Sequence, residues 1–176
     1  QILALGTDDL SVLSSNALSV FETTDLAVMT TVQIGGLSTT GIQGLTTENV
    51  VGLTSTQIRA FNTDQIAAFD TTEIAGFTTA QITGLTTTQI AAMTTAEVGA
   101  LTRLQVASIS GAQAEGLGTA QVAAINTTNI SALGTAAIAA LSTEVIESMS
   151  SAQYRALTSG QLAAFGTDQI IAIETV

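Results

Sequence analysis

From Gly6 to Ile173 the sequence returns to one eight-residue pattern 21 times, with no insertion or deletion. Few constraints on a fold are tighter than an unbroken short period, because one local solution must then serve the whole chain. With Gly6 as position 1, position 5 is apolar throughout, from Leu10, Leu18 and Leu26 to Ile170; Ala114 and Tyr154 are its weakest fits. Position 8 is large and apolar, from Leu13, Phe21 and Met29 to Leu157, Phe165 and Ile173. Position 7 is Gly, Ala or Ser except at Val12, Val20 and Val28. Position 2 is Thr or Ser in 19 octads, and position 4 is Gln in 11, with Glu, Asp or Asn in six more.

Two simple folds fail this pattern. Along one continuous α-helix, eight residues at about 100° each turn the apolar pair by about 80° per octad, so the stripe winds round and buries nothing. In a plain strand, positions 5 and 8 are an odd number of residues apart and point to opposite faces. Position 1 supplies the solution. It is Ser, Thr, Asn, Asp or Gly in 20 octads, Glu22 being the exception, and these are the residues that cap helix N-termini. Gln or Glu three residues later completes a capping box. In the same register, position 8 of one octad and position 5 of the next are the two partners of a hydrophobic staple. Each octad is thus predicted to start its own helix of about six residues, roughly 9 Å long.

Charge agrees with this register. Twelve of the 14 acids occupy positions 1–4, where the helix dipole favours anions. Helices this short do not persist alone; they require positions 5 and 8 to stack on neighbouring octads, with the small position 7 permitting close approach. The expected fold is an all-α solenoid, one very short helix per octad, running over residues 1–176 without separate domains. A β-solenoid is the alternative, since Thr and Ile favour strands, while Ala and Gln at positions 4, 6 and 7 favour helix.

Composition narrows function by exclusion. With no Cys or His, thiolate and imidazole metal sites and Ser-His-Asp or Cys-His catalysis are ruled out. A net charge of −11 opposes nucleic acid and anionic membranes. Polar residues interrupt every apolar run, so no stretch reaches the roughly 18 residues of a membrane span. The expectation is a non-enzyme with no cofactor, no metal and no membrane insertion.

Specific side chains have bland readings. Asp8-Asp9 lacks any calcium-loop pattern and reads as helix-start acid. Asn126-Thr127-Thr128 and Asn129-Ile130-Ser131 match the glycosylation sequon, as chance allows in a Thr-rich array. The Thr rows at positions 1 and 2 could carry sugar or form an ice- or carbohydrate-binding face, although capping at position 1 would leave only position 2. Phe61, Phe69, Phe77 and Tyr154 fall at inward positions and read as core.

The run TTTQIAAMTTAEVGAL (residues 86–101) resembles the Thr-, Gln- and Ala-rich octad arrays of very large bacterial secreted and surface proteins, among them adhesins and filament or sheath components. The resemblance covers the whole chain and implies placement at the bacterial surface or outside the cell, with a structural role. Self-association is the expected partnership, lateral and head to tail. Joining the two ends gives ETVQILAL, an octad in register, which nominates Gln1, Ile2, Leu5, Ile173 and Val176 as contact residues.

Overall fold

The computed structural model describes residues 2–174, the side chain of Glu174 excepted. After a 3-10 turn at Ile2–Ala4, the described residues contain 21 α-helices and no strand. Each helix begins at position 2 of its octad; the shortest have four residues (Ser15–Leu18) and the last has eight (Thr167–Glu174). The expected short-helix solenoid holds over the β-solenoid alternative, and one helix per octad is what forms.

The start of each helix follows from the capping box. Thr78 is extended (φ −71°, ψ 158°); its hydroxyl accepts the Gln81 N–H at 3.2 Å, and Gln81 Oε1 accepts the Thr78 N–H at 2.7 Å. Where Gly occupies position 1, only the reciprocal half remains, as in Gly118 N–H to Gln121 Oε1 at 2.8 Å. Helix ends are less usual. A left-handed residue commonly closes a helix, yet no described residue has positive φ. Instead position 8 turns extended, as at Phe61 (φ −66°, ψ 140°), and leads directly into the next cap.

The chain forms two compact units, Gln1–Leu85 and Thr86–Val176. The octad count runs through their boundary, Leu85 being position 8 and Thr86 position 1. Within the first unit, Thr31–Gly35 lies against Ser55–Ala60, and Ser55–Ala60 against Thr79–Gly84, three octads apart each time. Within the second, Thr95–Ala100 lies against Thr119–Ala124, and Gly111–Ala114 against Thr135–Ala140, again three octads apart. Position-4 side chains, by contrast, bond to the octad four earlier: Gln57 reaches Leu26 and Met29, 31 and 28 residues back. Each coil of either solenoid therefore takes between three and four octads.

Positions 5 and 8 fill the coil. Ile58, Ile66, Ile74 and Ile82 are wholly buried, and Phe61, Phe69, Phe77 and Leu85 nearly so. Phe69 stacks edge-on against Phe61 and Phe77, with ring centroids at 5.3 and 5.4 Å, a favoured aromatic geometry. Burial relaxes in the outermost octads: Leu13, Phe21 and Phe165 are half-buried, while Leu162 and Ile170 are exposed. The small position 7 abuts position 2 of the octad three earlier. A Cβ on Gly44 would lie 2.0 Å from the Ser15 carbonyl oxygen, and one on Gly52 2.0 Å from Thr23 Cγ2.

Two stability tests follow from this packing. Phe69→Ala should cost about 3–5 kcal/mol, the usual range for an emptied aromatic site, measured by denaturant unfolding. Gly44→Ala should destabilise by about 1–3 kcal/mol through overpacking against backbone, reversing the small gain that Gly→Ala gives where there is room.

Candidate functional site

The most regular chemical feature of the molecule is a ladder of position-4 amides. The Nε2 of Gln57 donates to the carbonyls of Leu26 and Met29 at 2.7 and 2.9 Å, and that of Gln81 to Val50 and Leu53, both at 2.7 Å. Gln33 does the same to Ile2 and Leu5, both at 3.0 Å. In the second unit Gln121 serves Ile90 and Met93, Gln153 serves Val122 and Ile125, and Gln161 serves Ile130 and Leu133. These carbonyls stand at the C-terminal end of the helix one coil back, among the acceptors a helix cannot satisfy itself. Each Gln thus caps two helices: its oxygen closes the start of its own, and its nitrogen closes the end of another.

Other residues at position 4 show what the ladder requires. The shorter amides reach one carbonyl only, Asn49 to Phe21 at 2.7 Å and Asn129 to Leu101 at 2.8 Å. Glu73 and Glu97 are as buried as the glutamines around them. Glu73 Oε2 accepts the Asp70 N–H at 2.7 Å, completing the capping box as Gln would. Its pKa is pushed up to about 7, chiefly by burial, with the nearby Asp70 carboxylate adding to the rise and the Asp70 backbone hydrogen bond opposing it. Burial also raises Glu97, against two hydrogen bonds from Thr94; its Oε1 has no partner. Tyr154 lies half-buried with its hydroxyl donating to the Ile146 carbonyl; burial first, then Glu147, raise its pKa.

The position-1 row is committed to the scaffold. Position-1 hydroxyls accept helix N–H groups, as at Thr54, Thr78 and Thr102. At position 2, Thr23 donates to the Glu48 carbonyl at 3.3 Å and Thr87 to Ala112 at 2.9 Å, three octads on. Asp9 accepts the Gly6 N–H at 3.0 Å, the helix-start role. Among the described residues no three acidic side chains cluster as metal ligands would. Asn126 caps its helix through Oδ1 and is exposed, whereas the Asn129 amide nitrogen is held by Leu101. Of the nominated contact residues, Ile2, Leu5 and Ile173 are half-buried; Gln1 and Val176 lie outside the described residues. Surface depressions lie between helices, one lined by Thr31, Val32, Thr56, Arg59 and Ala60.

Sequence reasoning found the caps and missed the ladder, because a bond over 28 or 31 residues leaves no local trace. One signal was present: Gln and Glu complete a capping box equally well, yet position 4 holds 11 Gln and two Glu. Only Gln also offers donors.

The two buried glutamates make stability depend on pH. A carboxyl whose folded pKa is raised stabilises fully below its unfolded value and loses that contribution as pH climbs through the folded value. For Glu73 the window runs from 4.5 to about 7. The melting temperature should fall across that window, and Glu73→Gln should remove part of the fall, as read by thermal melts of both chains.

The ALTTAQ repeat family model matches residues 2–39, 18–55, 50–79, 74–103 and 146–175. No curated protein and no solved structure matches the chain.

Proposed function

We propose that this chain, which belongs to the ALTTAQ repeat family, is a structural element of an extracellular bacterial assembly, serving as a spacer, filament or sheath segment. The observation that carries this reading is the ladder. The chemistry that recurs most regularly, amide at position 4 and hydroxyl at position 1, is directed inward to hold one coil on the next. Repetition of this kind extends a scaffold rather than assembling a pocket. Placement outside the cell follows the resemblance to secreted and surface octad arrays. The partner is the protein itself, with surface glycan as a further contact. The Thr-rich ice- or carbohydrate-binding reading is less favoured, since position-1 hydroxyls such as those of Thr54, Thr78 and Thr102 are spent on helix caps.

Immunogold labelling of intact cells, with electron microscopy of the native material, tests the proposal. The expected result is label on surface-exposed or shed elongated material; label confined to the cytoplasm as dispersed particles would overturn it. If sugar is attached to the sequons, peptide mapping should find it at Asn126 and not at Asn129, whose amide nitrogen is committed to Leu101.

A further inference from the structure

One carbonyl of the first unit is left out of the ladder. Seven successive position-8 carbonyls run from Leu5 to Leu53. Five accept a position-4 amide 28 residues on, as Leu37 does from Gln65 at 2.6 Å and Leu53 from Gln81 at 2.7 Å. The sixth, Leu13, lies 28 residues before Gly41, which has no side chain, and it takes the Ser38 hydroxyl instead at 3.2 Å. The seventh, Leu45, is buried, and no described residue donates to its carbonyl.

Both usual donors are missing there. Position 4 of the octad at 70–77 is Glu73 and position 1 is Asp70, and ionised carboxylates only accept. Each is already spent once on the local cap: Asp70 Oδ1 accepts the Glu73 N–H at 2.8 Å, and Glu73 Oε2 accepts the Asp70 N–H at 2.7 Å. Yet the octad keeps ladder register. Gly76 abuts Thr47 as Gly52 abuts Thr23, the Thr71–Gly76 helix packs on Thr47–Val51, and Glu73 is as buried as Gln65 and Gln81 on either side. With Oε2 in the place of the amide oxygen, Oε1 takes the place of the amide nitrogen, the atom that Gln65 and Gln81 turn to the carbonyls 28 and 31 residues back. For Glu73 those are Leu45 and Ile42, and the Ile42 carbonyl already receives the Leu45 N–H at 2.9 Å. An ionised Oε1 would set oxygen against oxygen in a buried site.

We propose that Glu73 holds a proton on Oε1 and donates it to the Leu45 carbonyl, so that this rung ties residues 70–77 to 38–45 in acid and is lost when the carboxyl ionises. The surroundings favour the proton. Asp70 stands beside Glu73 on its own octad; Thr47–Val51 brings Glu48, Thr39–Ile42 brings no titratable group, and the adjoining octads bring only Asp64. All are acids, so no cation on these elements steadies the Glu73 anion. Burial, which lifts the Glu73 pKa to about 7, acts in the same sense. The rung goes beyond the structural function proposed above and does not depend on where the chain resides.

Carbon-13 NMR of the full chain, labelled at Glu side-chain carboxyls and Leu backbone carbonyls, tests it. The Glu73 carboxyl should titrate at about 7. The Leu45 carbonyl should shift with the same midpoint, while those of Leu37 and Leu53, served by amides, stay in place. In Glu73→Gln, whose side chain carries its own donor, Leu45 should keep its bonded shift at every pH. Burial without the bond would move the Glu73 midpoint and leave Leu45 still, and that outcome overturns the proposal. So would an ordinary glutamate midpoint, or a Leu45 shift that follows added calcium above neutral pH in place of the proton. The wild-type titration decides the matter without any variant. Surface labelling of cells is unaffected by these results, so the rung and the structural function stand or fall separately.

Discussion

The fold depends on one bifunctional side chain, the amide of Gln at position 4. A helix of six residues has more unsatisfied backbone groups at its ends than bonds in its middle, and an array of such helices would be untenable if each end needed its own device. The amide answers both ends. Oε1 of Gln81 closes the Thr79–Gly84 helix at its start, while Nε2 donates to Val50 and Leu53 one coil away. Because one end of the bond is local and the other is not, helix formation and coil stacking become a single event. That coupling overrides the poor intrinsic stability of so short a helix.

The same device explains how the helices end. Without a left-handed residue anywhere in the described chain, no glycine is required by φ, and the glycines at position 7 answer a different need. Gly44, Gly52 and Gly84 stand where the backbone or side chain of Ser15, Thr23 and Ser55 comes closest. Close approach is what brings the carbonyls of positions 5 and 8 within reach of the amide. Small position 7 and amide position 4 are therefore two parts of one contact, and the apolar column of positions 5 and 8 fills the space that the contact encloses.

Much of this was legible in the sequence where the cause was local. Position 1 with position 4, and position 8 with the following position 5, fixed the register, the number of helices and their starting residues, because caps and staples act within four or five residues. The coil of between three and four octads was not legible. It is set by contacts such as Gln57 with Leu26 and Met29, over 28 and 31 residues, and a period of eight is compatible with several coil lengths. The cross-coil bond of Thr87 was hidden for a similar reason, since nothing near it in sequence points to Ala112 as its partner. Inward assignments held for Phe61, Phe69 and Phe77 and weakened at Leu162 and Ile170, whose octads have fewer neighbours.

The family name itself spells the contact. ALTTAQ runs through positions 7, 8, 1, 2, 3 and 4, across the boundary between helices rather than along one: GFTTAQ at residues 76–81 and GLTTTQ at 84–89. Its letters are a small residue for close approach, an apolar staple, the cap hydroxyl, a second Thr whose hydroxyl crosses the coils at Thr23 and Thr87, a helix former and the double-capping amide. Each is satisfied by octads at most four away, so the energy of the array is a sum of near-neighbour terms, and a local defect stays local. Ala137 and Val145 illustrate this: neither can donate, yet both are buried at position 4 and helices form around them in the usual register. Their octads keep the small position 7 at Ala140 and Ser148, so coils still close on one another. Losing the amide alone thins the ladder and leaves the small residue to hold the coils in contact.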